Sequence, residues 1–308
     1  MAFTEIEDVI QVKRSKMDGS SLYVSGKYGN MIDNVTDDDI NNNSAIKAIE
    51  FMHNKYSSPV GFDVLIQKNI PVAGGMGGSS SNGVAVMDFL QQYFGVESDS
   101  FKSGIVEVGG ADGMFLYNGK AAICEGIGDI VTPIVTEGDA EKIPALVVFP
   151  RRGCVTKNVF KKLREKSDVD FDYNVDQVMD WKMSLLKIAN ESFKDFVVEA
   201  MKLGNDLTDV VVNDMPIIGG VLSFMQTSSL VLSCAMTGSG SSCFAVFNTH
   251  QEMNEFMLLA SAKFPNCDML PTHILPNIKK EEYVMNSRPS MEMIFHSPED
   301  ADDWIKIR

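Results

Sequence analysis

The stretch "PVAGGMGGSSSNGVAV", Pro71 to Val86, decides how this chain is read. Seven of its first eleven residues are glycine or serine: Gly74, Gly75, Gly77, Gly78, Ser79, Ser80 and Ser81. Val84, Met87, Phe89, Leu90 and Phe94 follow at helical spacing. A glycine-rich loop that feeds a helix is an anion site by construction. Glycine lets the backbone approach closely, the first-turn N–H groups lack partners within the helix, and the helix dipole favours negative charge. Ser79 to Ser81 add hydroxyl donors and a helix cap. The plain alternative is a surface turn ahead of a helix. Two common phosphate motifs fail on particular residues. No lysine follows Gly77 or Gly78, as a Walker A loop requires. The sixth position counted from Gly75 is Ser80 rather than glycine, and Asp88 is too near to be the ribose acid of a dinucleotide fold.

A second small-residue turn, "MTGSGSSC" (236–243), lies between two apolar runs. It is either a simple hairpin turn or a second backbone loop that approaches the same ligand. Between the two lies "VGGADGMFLY" (108–117), where Asp112 follows three small residues and precedes an apolar run read as a strand. An acid in such a place either caps a turn or, at the mouth of a phosphate site, orients or deprotonates an attacking hydroxyl.

The 308 residues suffice for one large domain or two ordinary ones, and 44% apolar content supports a sizeable core. The formal charge of −15 argues against nucleic acid or an anionic membrane as the main partner. It leaves room for a phosphate held by backbone N–H groups. The five cysteines form no CxxC pair and the four histidines no HExxH, so no metal ligand is assigned. Free buried thiols, an acidic start without a basic n-region, and no apolar run of spanning length point to a cytoplasmic protein.

The expected elements are a strand over Phe3 to Val12 with "SSLYVSG" beside it and a helix through "SAIKAIEFM". A strand "GFDVLIQKNIP" ending at Pro71 comes next, then the helix after the loop. Two short strands are expected around Asn118 and Gly119, and a strand in "ALVVFP". Helices over "VDQVMDWKMSLLKIANES", "FKDFVVEAMKL" and "PIIGGVLSFMQ" precede the strands "SLVLSCAM" and "CFAVF". A further helix, "HQEMNEFMLLASAKF", and a last strand in "THILPN" or "SMEMIF" complete the list. A polar stretch at 137–144 marks a boundary, so we expect an α+β protein of two lobes, residues 1–142 and 143–308.

The three stretches around the loop, Asp112 and the second turn occur in an order that resembles the GHMP kinase superfamily. Its ATP loop has the form P-x-x-x-G-[LM]-G-[GS]-[GS]-S, here Pro71, Val72, Ala73, Gly74, Gly75, Met76, Gly77, Gly78, Ser79 and Ser80. Its later loop, [ST]-G-[ST]-G-x-x-C-F, is similar to Thr237 to Phe244. Within the superfamily, "SSSNGVAV", "GGADGMFLYNGKAAICEGIGDIVTPI", "NDLTDVVVNDMPII", "NNSAIKAIEFM" and "VTKNVF" resemble the 4-diphosphocytidyl-2-C-methyl-D-erythritol kinase family, in order from about residue 3 to residue 250.

The resemblance implies a two-lobed α+β fold with the active site in the cleft, ATP and Mg²⁺ as cofactors, and a cytidyl diphosphate sugar alcohol as substrate. It implies that Pro71 to Ser81 wrap the ATP phosphates and that Asp112 takes the substrate hydroxyl's proton. Thr156 and Phe160 would hold the cytosine, and Thr237, Gly238, Ser239, Gly240 and Ser241 the substrate's phosphate end. Other GHMP small-molecule kinases, and a nucleotide-binding pseudokinase, are the alternatives.

This chain departs from the family pattern at three places. Gly113 and Met114 replace a proline and its neighbour, which is expected to loosen the entry to a strand; Ala73 replaces a glycine. The family's opening K-x-N-L strand and D-G-Y-H turn have no counterpart, and Lys13, Arg14 and Lys16 do not fit that pattern. The expectation is that Met1 is an internal methionine and that the natural protein begins some tens of residues earlier.

Overall fold

The computed structural model describes residues 1–16, 19–32, 42–56, 60–96, 98–134, 141–166, 175–278 and 304–307. In chain order its strands are β1 Phe3–Thr4, β2 Val9–Arg14, β3 Ser21–Ser25, β4 Phe62–Gln67, β5 Ala122–Glu125 and β6 Ile130–Pro133. They continue with β7 Ile143–Phe149, β8 Ser233–Met236, β9 Cys243–Val246, β10 Asp268–Leu275 and β11 Ile305–Ile307. The helices are α1 Ser44–Tyr56, α2 Gly78–Phe94, α3 Ser98–Gly109, α4 Gly113–Asn118 and α5 Thr156–Lys166. After them come α6 Val175–Glu191, α7 Phe193–Lys202, α8 Thr208–Asp214, α9 Pro216–Gln226 and α10 His250–Lys263.

Two sheets organise these elements. β7, with the sequence IPALVVF, is buried at all seven positions, as an unbroken apolar run demands. It forms the centre of a sheet in the order β1-β10-β7-β9-β8. One face packs on α8, α9 and α10 through Leu146, Val148, Ile218, Met225 and Phe256. The other packs on α6 and α7 through Ala145, Phe193 and Phe196. The second sheet, β11-β2-β4-β3, alternates in burial along β2 and β4. Its inward residues Ile10, Val12, Phe62, Val64 and Ile66 meet α1 and α2 through Ile49, Met52, Phe89 and Leu90. The two lobes of an α+β fold are therefore present, each with its own core. We keep the division at 142/143 as a proposal, with two edge strands traded: β1 pairs with β10, and β11 with β2.

Four expectations change. Phe3 to Val12 is not one strand: residues 3–4 join one sheet and 9–14 the other. β3 lies beside β4, in parallel, rather than beside β2. "GMFLYN" is the helix α4, not a strand. Gly113 does not loosen a strand entry, because a Cβ there would lie 2.4 Å from the Ile105 carbonyl oxygen; glycine lets α4 seat against α3. Of the two places expected for a last strand, "THILPN" supplies the end of β10, with β11 following at Ile305–Ile307, while "SMEMIF" lies outside the described residues, as do positions 137–140 of the expected boundary.

A buried polar knot joins the lobes. Tyr28, 3% exposed, donates its hydroxyl to Asp268 Oδ2 at 2.9 Å, at the start of β10, and meets Phe149 edge-on. Arg151 Nε donates to Asp268 Oδ1 at 2.8 Å, and Lys27 stands 3.6 Å away. Burial alone would raise the Asp268 pKa, but the bonds from Arg151 and Tyr28 and the two nearby cations outweigh it and hold the carboxyl below its usual range. Burial and the bond to Asp268 push the Tyr28 hydroxyl up, so it stays a donor. Tyr28→Phe should therefore lower the unfolding free energy in urea by about 1.5–3 kcal/mol at neutral pH, the range for a bond to a charged group. Since the folded carboxyl is depressed, its contribution is full above the ordinary aspartate range and fades as pH falls through the folded value. The difference between parent and variant should shrink along that acid limb.

Candidate active site

The glycine-rich loop ends where α2 begins. Gly77, φ +66°, is the residue ahead of the helix, and no side chain caps its N–H groups. Ser79, Ser80 and Ser81 lie inside the first turn and do not supply the expected cap; a left-handed glycine turns the chain instead. The first-turn donors stay directed at whatever sits in the loop. Ser79 is tied to α1, since the Ser44 hydroxyl donates to the Ser79 carbonyl.

The second loop lies directly against the first. Thr237 donates its hydroxyl to the Gly75 carbonyl at 3.0 Å, and Ser242 N–H donates to the Gly74 carbonyl at 3.1 Å. A Cβ on Gly75, φ +75°, would lie 2.1 Å from the Thr237 carbonyl oxygen, and one on Gly238 would lie 2.6 Å from that of Gly75. The turn "TGSGSS" is thus both the connection of the hairpin β8–β9 and a backbone surface moulded to the first loop. Ala73 holds a left-handed φ of +52°, a conformation that costs a non-glycine residue about 1–2 kcal/mol. Its carbonyl accepts from Cys154 N–H at 2.8 Å, which ties the loop to the segment ahead of α5.

Asp112 ends a short 3-10 turn, Gly110–Asp112, before α4. Its Oδ2 would be 3.6 Å from a Cβ on Gly77, so the carboxylate faces the point where loop becomes helix. The β5–β6 turn supports it from behind: a Cβ on Gly128 would sit 1.8 Å from the Ala111 carbonyl oxygen. Burial raises the Asp112 pKa, with the Met1 amino group opposing. A carboxyl so shifted is a better proton acceptor than an exposed one.

The structure brings most of the residues expected to bind substrate together. Thr156 opens α5, and its hydroxyl shares a 2.8 Å hydrogen bond with that of Ser239. Phe160, one turn on, is 44% exposed, unusual for a phenylalanine with a core available. The Ser241 hydroxyl donates to the Arg152 carbonyl, and so is used inside the protein. Asn205 was not assigned a place by sequence: its amide donates to the carbonyls of Met236 and Gly238 at 2.9 and 2.8 Å and braces the second loop. The segment "NDLTD" carried that signal. Lys13 faces Asp63 at 3.7 Å and covers the Trp304 ring. No group of three metal-binding side chains occurs among the described residues, and no described helix is long and apolar enough to cross a membrane.

Known proteins resemble this chain in sequence and in fold. The GHMP kinases N terminal domain matches residues 43–118, which span α1, the loop, α2, α3, Asp112 and α4. The 4-diphosphocytidyl-2-C-methyl-D-erythritol kinase of Chelativorans sp. is 26% identical over 270 residues, covering 86% of this chain and 83% of that protein. The enzyme of the same name from Clostridium perfringens is 29% identical over 263 residues, with 83% of each covered. Among solved structures, a 4-(cytidine 5'-diphospho)-2C-methyl-D-erythritol kinase has a TM-score of 0.59 at 22% identity, over 89% of this chain and 88% of that one. Homoserine kinase from Cytophaga hutchinsonii has a TM-score of 0.63 at 14% identity, over 88% and 87%. L. major mevalonate kinase has 0.60 at 15%, over 90% and 89%. The chain is thus similar to GHMP kinases in sequence over residues 43–118 and in fold over most of its length. It is a small-molecule kinase that uses ATP.

The contact between the two loops makes a sharp forecast. Gly75→Ala places a methyl against backbone at a φ that L residues avoid. It should lower the thermal midpoint and weaken ATP binding at least tenfold, an energy of about 1.4 kcal/mol, as read by calorimetric titration.

Proposed function

We propose that this kinase transfers the γ-phosphoryl group of ATP to the 2-hydroxyl of 4-diphosphocytidyl-2-C-methyl-D-erythritol, a step of isoprenoid precursor synthesis. The observation that carries the reading is the exposed Phe160 one turn from the Thr156–Ser239 bond. It leaves an aromatic face exposed on α5, one turn from the residue bonded to a small-residue loop that lies against the glycine-rich one. Relatives that bear this enzyme's name match over more than four-fifths of the chain.

In this reading Pro71 to Ser81 hold the triphosphate through backbone N–H groups, aided by the positive end of α2. Thr237 to Ser241 hold the substrate's diphosphate, and Phe160 stacks on the cytosine with Thr156 beside it. Asp112 accepts the proton of the attacking hydroxyl. Phosphoryl transfer asks for little covalent chemistry from the protein, so catalysis is mostly alignment and charge stabilisation. Bound Mg²⁺ would supply neutralisation of phosphate charge, and Asp112, a carboxylate facing the start of α2, is the residue that would help hold it. The other GHMP activities remain the second reading, because homoserine and mevalonate kinases share the fold with comparable scores.

The deciding experiment supplies the purified protein with ATP, Mg²⁺ and, in turn, the cytidyl substrate, mevalonate and homoserine, and follows ADP release. Turnover with the cytidyl compound alone is expected; preference for another acceptor overturns the assignment. Asp112→Asn should abolish turnover and spare nucleotide binding. In the parent, the raised carboxyl pKa should lift the acid limb of kcat/KM above the ordinary aspartate range, with the rate falling as pH drops through it.

Phe160→Ala should weaken a cytidine ligand by about one to two orders of magnitude, the worth of one base stacked on an aromatic ring, and leave ATP affinity unchanged. Fluorescence titration with each nucleotide separates the two. Equal losses would remove Phe160 from the cytosine subsite.

A further inference from the structure

Two charged side chains that the mechanism leaves unused are buried together below the glycine-rich loop. Asp8 and Lys68 form an ion pair with side-chain exposures of only 1% and 7%. Asp8 ends the segment by which the chain leaves β1 in one sheet and enters β2 in the other. Lys68 stands just past β4, three residues before Pro71.

The Asp8 carboxylate is fully occupied. Oδ1 accepts from Asn69 N–H at 2.7 Å and from Ile70 N–H at 2.8 Å, at the threshold of the loop. Oδ2 accepts from the Lys68 ammonium and from the Asn82 amide at 3.0 Å, and Asn82 lies in the second turn of α2. Four donors match the four acceptor sites of a carboxylate. Lys68 reaches on to the far side of the loop, where Nζ is 3.3 Å from the position a Cβ on Gly78 would take. One ion pair thus grips the residues entering the loop and the helix leaving it. Burying a charge pair is rarely the cheapest way to fill a lobe, since apolar side chains of similar volume serve as well or better. What this pair adds is a fixed spacing between the two ends of a segment rich in glycine.

We infer that Asp8 and Lys68 are positioning residues for the glycine-rich loop, holding its backbone donors convergent on one polyphosphate. The inference rests on the reading of Pro71 to Ser81 as the ATP loop. Neither residue need touch the ligand; the loop's affinity for anions depends on the distance they fix.

The test compares Asp8→Ala, Asp8→Asn, Lys68→Met and Val12→Ala with the parent. Val12 is a fully buried core residue of β2 and serves to match a loss of stability without disturbing the pair. Dissociation constants for ATP and for inorganic tripolyphosphate are measured by calorimetry at a temperature where circular dichroism shows each protein folded. Asp8→Ala and Lys68→Met should weaken both ligands by about tenfold or more, the loss of a charge-assisted bond. Asp8→Asn, which keeps an acceptor for the Asn69 and Ile70 N–H groups, should recover part of the affinity. Val12→Ala should keep the parent's affinity at a lowered thermal midpoint. Folded Asp8→Ala or Lys68→Met with parent affinity overturns the inference, as does a Val12→Ala loss of equal size. Should either pair variant fail to fold, the other and Asp8→Asn decide by the same criteria. If the parent binds ATP, but not tripolyphosphate, and Gly77→Val leaves ATP binding intact, the loop reading itself falls, and this inference with it.

Discussion

Backbone pressed against backbone, between Gly75 and the turn at Thr237 to Gly240, is the constraint on which the site depends. There is no space for a side chain on either partner, and two hydrogen bonds hold the surfaces in register. The first loop belongs to the lobe built on β2 and β4, the second to the lobe built on β7 and β9. Their contact therefore fixes one lobe on the other at the place where chemistry would occur. Asn205 braces the second loop from its far side, and the Cys154–Ala73 bond adds a third attachment to the first. The left-handed Ala73 fits this picture, since a strained residue persists only where its surroundings dictate its geometry.

The two loops were legible in the sequence because their requirement is local. Each needs small residues in a row between regular elements, and glycine and serine announce this wherever they cluster. β7 was equally plain, a seven-residue apolar run that only a central strand can bury. Asp112 could be found only by its neighbours in the family order, because a turn acid looks the same whether it caps or catalyses.

What the sequence hid is tertiary in origin. "GMFLYN" is apolar and short enough to suit either strand or helix, and its helix is settled by the approach of Gly113 to the Ile105 carbonyl, which no local pattern records. Phe3 to Val12 alternates well enough for one strand, yet Asp8 turns the chain from one sheet to the other. Its partners lie more than 60 residues away, in Asn69, Ile70 and Asn82. Asn205 was visible as part of a segment, but its task, two carbonyls of a distant turn, is a matter of folding. β11 spans three residues and offers no periodicity to read.

The joined loops also govern how a ligand comes and goes. Many two-lobed enzymes admit substrate by swinging apart like jaws, with a free hinge at the base of the cleft. Here the base of the cleft is itself riveted, by the loop contact and by the Tyr28–Asp268–Arg151 knot. Wide gaping would tear both. A ligand bound as proposed would then enter over the rim, past exposed groups such as Phe160 and the side chains along α5. An entrance of that kind favours a binding cavity that is already shaped before the ligand arrives, and sorts molecules by outline at the doorway as well as by affinity within.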